Sequence, residues 1–317
     1  MYDKSNPQRG FTLIEMLVAL AILTVITLTV MGALGPWMGL KQKLDTERRM
    51  QSLKSGVTAL YEANAMSIEL LPNGTFVAFT TSAPAAGLCD SQQAAFELSA
   101  DRFSESAGTM SRDGYANPWC IFISDALRET QDGVDVYYRN VSFVSTGPSG
   151  LLDVGTKMLP NGAMQIAGGN TAITISGRDI QASKIREVQR RLNRVSQMYE
   201  TYFTTRFLAN PSRDISVYYF SNAYDSGGAV SSTGGAWTPV RAVLQVIGVS
   251  PSDAASPWES FNDIEVANLN ESASGVQVRS PATAGTGALP YTALLRARLP
   301  APTGVNSYAV QTVIGNY

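Results

Sequence analysis

Glu15 is an acidic residue inside a long apolar run, where it could take part in charge pairing. No other charged residue occurs between Phe11 and Leu40. A carboxylate in the hydrocarbon of a membrane costs about 2.5–3.5 kcal/mol on insertion scales. Such a group needs a cationic partner, unless it lies close enough to the helix end to reach the headgroups. The sequence therefore indicates a functional role for Glu15 in pairing rather than in catalysis.

The two cysteines, Cys89 and Cys120, are the other reactive side chains, and the chain has no histidine. The lack of histidine excludes Ser-His-Asp and Cys-His catalysis and every histidine-ligated metal site. In an exported protein an even pair of cysteines predicts a disulfide. Two separate buried thiols are the alternative. The residues predict no enzyme, no cofactor and no metal.

The apolar run is long enough to cross a bilayer, because about 20 apolar residues suffice. We expect a transmembrane and assembly helix over residues 11–40, preceded by a polar leader over residues 1–10. A secretory signal would carry a small-residue cleavage site after its apolar core. Here the small residue, Gly10, comes before the core.

The stretch "RGFTLIEMLVALAIL" resembles the N-terminal segment of type IV pilins and of the pseudopilins of type II secretion. The resemblance implies that a prepilin peptidase cuts between Gly10 and Phe11, and that Phe11 becomes an N-methylated N-terminus. It also implies that Glu15 pairs with the N-terminal amine of a neighbouring subunit during filament assembly. The implied partners are the peptidase, other pilins that bind through the N-terminal helix, and the inner membrane before assembly.

The implied location is the bacterial inner membrane, followed by a pilus or pseudopilus that can be extracellular. The protein would cross the membrane once, with a cytoplasmic leader and periplasmic heads. Counting Lys and Arg on both sides of the run does not by itself put the leader in the cytoplasm. Large domains cross the membrane largely regardless of flanking charge, so the cleavage motif decides the orientation.

The charge and length of the chain limit its possible functions and its number of domains. With 24 basic and 26 acidic residues in 317, the protein has no global positive field of the kind that drives nucleic-acid binding. About 275 residues follow the leader and the span, which favours two domains. The expected fold class is α+β, in which the long N-terminal helix packs on an antiparallel sheet, with a second helix-plus-sheet head.

The first head is expected over residues 41–180. Apolar residues recur at helical spacing after the span, at Met50, Leu53, Val57, Leu60 and Tyr61. Strand patterns follow in "TFVAFTT", "CIFIS" and "VDVYYRNVSFVST". Between the span and this helix, Gly32, Gly35 and Pro36 predict a kink or local melting.

Two loop motifs, "DGYANPWCIF" and "FVSTGPSG", also resemble the head domains of pseudopilins. Some of those relatives bind calcium through acids near these loops. The nearest acids here are Asp113 and Asp153, and no ligand cluster surrounds them. We therefore interpret both as solvated loop acids.

A second pilin-like head is expected over residues 181–317. Its helix would bury one apolar face. The pair Tyr61 and Glu62 in the first helix has a counterpart in the second helix, Tyr199 and Glu200. Such a repeat indicates a duplication. Chance similarity of two amphipathic helices is the alternative. Strands are predicted in "ISVYYF", "VRAVLQVIGV", "ALLRARL" and "YAVQTVI".

A cationic cluster lies on the polar side of the second helix. It is interpreted as a solvated face, with a contact to another pilin or to a polyanion as the alternative. The members of the cluster are Arg186, Arg190, Arg191 and Arg194.

The first functional hypothesis is a minor pilin-like structural subunit, placed at the filament tip for initiation or capping. The alternatives are a tip adhesin or binding module for a surface, DNA or a secreted substrate, and a type II secretion pseudopilin. An enzyme tethered by the helix is the third class, and the residue content argues against it.

We expect Gly10→Val to prevent removal of the leader, because the peptidase must accommodate a small residue beside the cut. Mass spectrometry of the membrane-bound protein should show the leader retained. Gly32→Val, which changes a glycine far from the cut, is the control and should be trimmed. A normally trimmed Gly10→Val protein would contradict the predicted cleavage site.

Overall fold

The computed structural model combines helices with antiparallel sheets, and its N-terminal element is a helix, as predicted. The structure describes residues 12–82, 86–213, 219–220, 237–240, 247–258, 264–267, 272–273, 276–277 and 292–315. The division into domains at residues 40 and 180 stays a prediction.

Five helices lie in the described parts of the chain. They are α1 (Leu13–Ile68), α2 (Gln93–Leu98), α3 (Ala107–Met110), α4 (Arg178–Ala209) and α5 (Pro251–Ala254). Two 3₁₀ turns cover Ala100–Arg102 and Gly147–Ser149.

The strands form two larger sheets and several hairpins. They are β1 (Thr75–Phe76), β2 (Phe79–Thr80), β3 (Cys120–Ile123), β4 (Leu127–Gln131), β5 (Val134–Tyr138), β6 (Asn140–Ser145), β7 (Lys157–Met158), β8 (Met164–Gln165), β9 (Thr171–Ser176), β10 (Trp237–Pro239), β11 (Glu265–Ala267), β12 (Ser272–Ala273), β13 (Val276–Gln277), β14 (Thr292–Arg298) and β15 (Tyr308–Ile314).

Helix α1 is one continuous element of 56 residues. At 1.5 Å per residue it is about 84 Å long. Pro36 lies inside it, and the backbone stays helical on both sides. The predicted melting around Gly32, Gly35 and Pro36 is therefore wrong.

The second half of α1 packs on the antiparallel sheet β3-β6-β9, in which β6 is central. The five residues predicted from helical spacing, Met50 to Tyr61, are all buried. The predicted strand "TFVAFTT" is instead the hairpin β1–β2, because the chain turns back at Val77, which has a φ of 51°. This hairpin brings Phe76 and Phe79 into the core.

Residues 102–114, which we call the strap, contact α1 near Gln42, Thr46 and Gly56. Two glycines permit the close approach. A Cβ at Gly56 would lie 2.4 Å from Cδ1 of Phe103, and a Cβ at Gly114 would lie 2.1 Å from the carbonyl oxygen of Gln42. The backbone N–H of Gly114 donates to Oγ1 of Thr46 at 3.0 Å. The strap therefore fixes the head to the middle of α1.

A buried polar group closes the C-terminal end of α1. The hydroxyl of Tyr61 donates to Oε1 of Glu69 at 2.5 Å and accepts from the backbone N–H of Arg139 at 3.0 Å. The Arg139 guanidinium donates to the carbonyls of Leu71 and Pro72 at 2.6 and 2.8 Å. Its Nε lies 3.6 Å from Oε2 of Glu69, an ion pair in which both residues are almost fully buried. Burial raises the pKa of Glu69 above its ordinary value.

The second unit consists of α4 packed on the antiparallel sheet β10-β11-β14-β15. The apolar face predicted for this helix is confirmed for five of its six residues, Val188, Leu192, Val195, Tyr199 and Phe203, which are buried. The sixth, Tyr202, is only partly buried. Two of the four predicted strands match β14 and β15, while most of "ISVYYF" and "VRAVLQVIGV" lies outside the described residues. The buried residues of both units form one hydrophobic cluster.

The second unit contacts α1 at its C-terminal end. Gln181, which is fully buried, donates through Nε2 to the carbonyl of Ala65 at 2.7 Å, and its Oε1 accepts from Nε1 of Trp258 at 3.0 Å. Just after the end of α1, the carbonyl of Leu70 accepts from Oγ1 of Thr303 at 3.1 Å. These contacts put the second unit at the end of α1 opposite to its apolar stretch.

The cationic side of α4 is partly covered. Arg191 donates to the carbonyl of Ala255 at 2.7 Å, and Arg194 pairs with Asp253. The interpretation as a solvated face is therefore wrong for Arg191, which is partly buried, whereas Arg194 is exposed while it pairs with Asp253. Arg186 and Arg190 are exposed, and Arg190 pairs with Glu187 at 2.7 Å.

The two units share several local features. Tyr61 and Tyr199 are both buried on the core face of their helices, and Trp119 and Trp258 are both buried after a proline. Both indole N–H groups donate, to the carbonyl of Met110 and to the Gln181 side chain. The duplication stays a prediction, and these features support it.

We expect Glu69 to make the stability of the protein depend on pH. Since burial raises its folded pKa above 4.5, its stabilising contribution is fully present below pH 4.5 and is lost as the pH rises through the folded pKa. Glu69→Gln should remove this dependence. The measurement is the free energy of unfolding in urea of both proteins across this pH range, in detergent.

The wild type should lose stability relative to Glu69→Gln as the pH rises through that window. Glu62→Gln, which changes an exposed acid on the same helix, is the control and should show no such trend. A constant difference between wild type and Glu69→Gln would contradict the raised pKa.

Candidate assembly site

The candidate site is the start of α1. Gly10 and Phe11, the predicted cleavage and methylation residues, lie outside the described residues, so both roles stay predictions. Glu15 lies in the first turn of the helix and is exposed.

Thr12 and Glu15 form a reciprocal cap. Thr12 is the N-cap residue, and its Oγ1 accepts from the backbone N–H of Glu15 at 3.4 Å. The carboxylate oxygen Oε2 of Glu15 accepts from the backbone N–H and from the hydroxyl of Thr12, both at 2.9 Å. Within one chain, therefore, the carboxylate stabilises the first turn of its own helix.

Thr12 is a site residue that the charge pattern of the apolar run does not predict. The signal was present, because Thr-x-x-Glu before an apolar run is the capping-box pattern. The prediction that Glu15 pairs with an amine concerns a neighbouring subunit, and it stays a prediction.

The apolar stretch that follows has no partner within the chain. Every side chain from Thr12 to Thr29 is exposed. The hydroxyls of Thr24, Thr27 and Thr29 each donate to the carbonyl four residues earlier at 2.7 Å, so they satisfy themselves within the helix. The stretch therefore presents an almost continuous apolar surface.

A search of the described residues finds no helix with both the length and the apolar character needed to cross a membrane.

Cys89 and Cys120 are joined by a disulfide, with their Cα atoms 5.3 Å apart. The bond lies in a small apolar cluster with Phe122, Val144 and Leu152. It ties the start of β3 to the chain that precedes α2, so both ends of the segment that contains the strap are held on the sheet.

Asp113 is fully buried, so its interpretation as a solvated loop acid is wrong. Its carboxylate accepts from the backbone N–H groups of Tyr115 and Asn117 at 3.0 and 2.8 Å, and from Oγ of Ser145 at 2.6 Å. Burial raises its pKa above the ordinary value, against the effect of these hydrogen bonds. Asp113 thus holds the turn at residues 113–117 to the end of β6.

Asp153 has a local structural role as well. Its Oδ2 accepts from the backbone N–H of Gly169 at 2.9 Å. The described part of the chain contains no group of three acidic, cysteine or histidine side chains that could hold a metal.

A surface cleft of about 280 Å³ lies between α1 and α4. Trp258 and the small side chains of Ala59 and Ala63 contribute its apolar surface, and charged groups surround it. The charged lining residues are Glu62, Arg102 and Lys184. The cleft is small, and both units contribute to it.

The comparison with protein families gives one match. Residues 5–31 match the family described as the prokaryotic N-terminal methylation motif, which is the signature of type IV pilins and pseudopilins. This range includes Gly10, Phe11 and the Thr12–Glu15 cap. No curated protein and no solved structure matches the chain.

We expect Thr12→Val to loosen the first turn of α1, because it removes the hydroxyl that accepts from Glu15 and donates to it. Loss of such a cap costs about 1 kcal/mol. Amide hydrogen exchange of the protein in detergent should become faster at residues 13–16. Thr24→Val is the matched control, since the Thr24 hydroxyl bonds only to the carbonyl of Leu20 in the middle of the helix. Equal exchange in the two variants would contradict the cap.

Proposed function

We propose that the protein is a pilin-like structural subunit, cleaved by a prepilin peptidase and assembled into a type IV pilus or a related filament. The observation that carries the proposal is the methylation motif at residues 5–31, placed at the start of a long continuous helix. A pilin-type motif favours a structural subunit rather than an enzyme. The whole sequence contains no histidine, which agrees with that choice.

The same residues suggest how assembly proceeds. The exposed apolar stretch of α1 anchors the subunit in the inner membrane as a single span, with the leader in the cytoplasm and both units in the periplasm. Cleavage at Gly10 creates a charged amine at Phe11. In a low-dielectric setting a carboxylate and an amine attract each other strongly, so the Glu15 of one subunit draws in the N-terminus of the next.

The Thr12 cap gives Glu15 a partner before assembly. The N–H and the O–H of Thr12, both uncharged donors, satisfy part of the hydrogen-bonding capacity of the Glu15 carboxylate within its own chain. An ammonium group adds a charge–charge attraction to the carboxylate that the neutral N–H and O–H of Thr12 lack. The amine of a neighbouring subunit can therefore compete with the cap when the filament grows.

We also propose a position at the filament tip as a minor subunit. The contacts at Ala65 and Leu70 support it, because they involve the C-terminal end of α1, opposite to its apolar stretch. In a shaft, heads pack side by side around a bundle of N-terminal helices. A second unit above the first would obstruct the next subunit in the shaft, and at the tip it would obstruct none.

A binding role at the tip is the second candidate. The cleft between α1 and α4 favours it, since it combines an aromatic side chain with charges of both signs and is built jointly by the two units. A role as a type II secretion pseudopilin is compatible with the same motif.

The test separates the charge of Glu15 from its cap. Glu15→Gln keeps an oxygen that can accept from Thr12, as glutamine does in capping boxes, but removes the charge. We expect normal removal of the leader and a strong loss of the protein from sheared filaments. Glu47→Gln, which changes an exposed acid farther along α1, is the matched control and should assemble normally.

Quantitative mass spectrometry of the filaments measures the amount of the Glu15→Gln variant that assembles and the abundance of the wild-type chain among the subunits. Wild-type amounts of Glu15→Gln in the filaments would contradict the pairing mechanism. If the wild-type chain were the most abundant subunit, the tip position would be wrong while the pilin-like function would stand.

A further inference from the structure

Three aliphatic side chains form an exposed patch on the first unit. Leu88, Leu151 and Val154 are 73%, 48% and 81% exposed. We call them the underside patch. The fold does not bury them, although Leu88 and Leu151 each precede in sequence a member of the apolar cluster around the disulfide, and Val154 follows one by two residues.

The backbone holds two members of the patch side by side. Gly87 and Leu152 exchange hydrogen bonds in an antiparallel bridge, at 3.3 and 2.7 Å. Leu88 and Leu151 are therefore opposite each other, with their side chains on one face. Since Leu152 points into the core, its neighbours in the bridge point outward.

The patch lies at the end of the head where α1 leaves it. Strand β6 starts beside Tyr61, where Arg139 contacts the tyrosine, and ends at Ser145, which contacts Asp113. Asp113 belongs to the turn whose Gly114 contacts Thr46, so β6 runs back along α1 toward the apolar stretch.

The turn at Asp113 also places the chain that leads to the patch. Nδ2 of Asn117 in this turn donates to the carbonyl of Gly147 at 2.7 Å. The chain reaches Leu151 four residues later.

The height of this end above a membrane follows from the helix. Gly114 touches α1 at Gln42, five residues after Trp37. At 1.5 Å per residue this is about 7.5 Å along the axis. Tryptophan favours the membrane–water interface, and each headgroup layer is about 5–7 Å thick. Trp37 is exposed, and Lys41 and Lys43 follow it, as expected where a helix emerges among phosphate groups.

We infer that the underside patch contacts the headgroup layer of the bilayer before the subunit enters a filament. The inference rests on the proposed membrane anchor. Three side chains are far fewer than the roughly 20–30 residues per partner of a stable protein interface, which argues against a second copy as the occupant. A membrane contact needs no such area, because the anchored helix already holds the head near the surface.

The experiment uses the full chain in vesicles of phosphatidylethanolamine and phosphatidylglycerol. A polarity-sensitive maleimide dye is attached to Val154→Cys, and the native cysteines do not react because they are paired. Contact with the headgroup layer should shift the emission of this dye to the blue, and lipids with a spin label on the headgroup should quench it. Leu98→Cys is the matched control, since Leu98 is equally exposed, at 79%, but lies on α2 away from the patch. Its dye should keep its intensity.

Two further variants make the outcomes distinct. Adding Leu88→Asn and Leu151→Asn to the Val154→Cys protein should weaken the quenching without unfolding, because both side chains are exposed. Ile22→Cys, labelled in the same way, reports insertion of α1 through lipids that are spin-labelled in the acyl chain.

If the Ile22 dye is quenched and the Val154 dye is not, the anchor stands and the inference is wrong. If the Ile22 dye is not quenched, the anchor is wrong as well. A blue shift at Val154 that rises with the protein-to-lipid ratio, without quenching by the lipids, would assign the patch to a second copy of the chain and overturn the inference.

Discussion

The buried polar group at the end of α1 is the interaction on which the rest of the fold depends. A helix end leaves several carbonyls without partners, and here the chain after α1 turns back into the core. The guanidinium of Arg139 satisfies the carbonyls of Leu71 and Pro72, and Glu69 supplies the opposite charge. Removing one member of such a buried pair typically costs 3–5 kcal/mol, because the other charge is left uncompensated. Tyr61 links the pair to β6, so helix, turn and sheet are positioned together.

Gln181 extends this arrangement to the second unit. It donates to the carbonyl of Ala65, one helical turn after Tyr61 in α1, and its side-chain oxygen accepts from Nε1 of Trp258. A fully buried amide must have its hydrogen bonds satisfied, so both contacts have to form together. The two units are thus joined by a buried polar contact within a common hydrophobic cluster, rather than by a chain of polar residues alone.

The sequence predicted those elements whose pattern is local and periodic. The core faces of α1 and α4, β3, β14 and β15 follow from spacing and strand propensity. It failed where a long-range partner decides the outcome. Asp113 is buried and bonds to Ser145, thirty-two residues away, and Arg191 is partly buried and bonds to the carbonyl of Ala255. At the site, the motif identified Glu15, but the cap partner Thr12 was missed although the pattern was local.

The length of α1 keeps the contacts at its two ends separate. Its apolar stretch and its polar C-terminal end are separated by the strap, which contacts the helix from Gln42 to Gly56. The contacts of the strap do not involve Glu15. The buried polar group at Glu69 involves neither Glu15 nor the strap. In the proposed function, pairing acts on Glu15, whose carboxylate bonds to Thr12 within the described residues and takes no part in the packing of either unit. Assembly through Glu15, as proposed, therefore requires no change in the contacts that hold the head together.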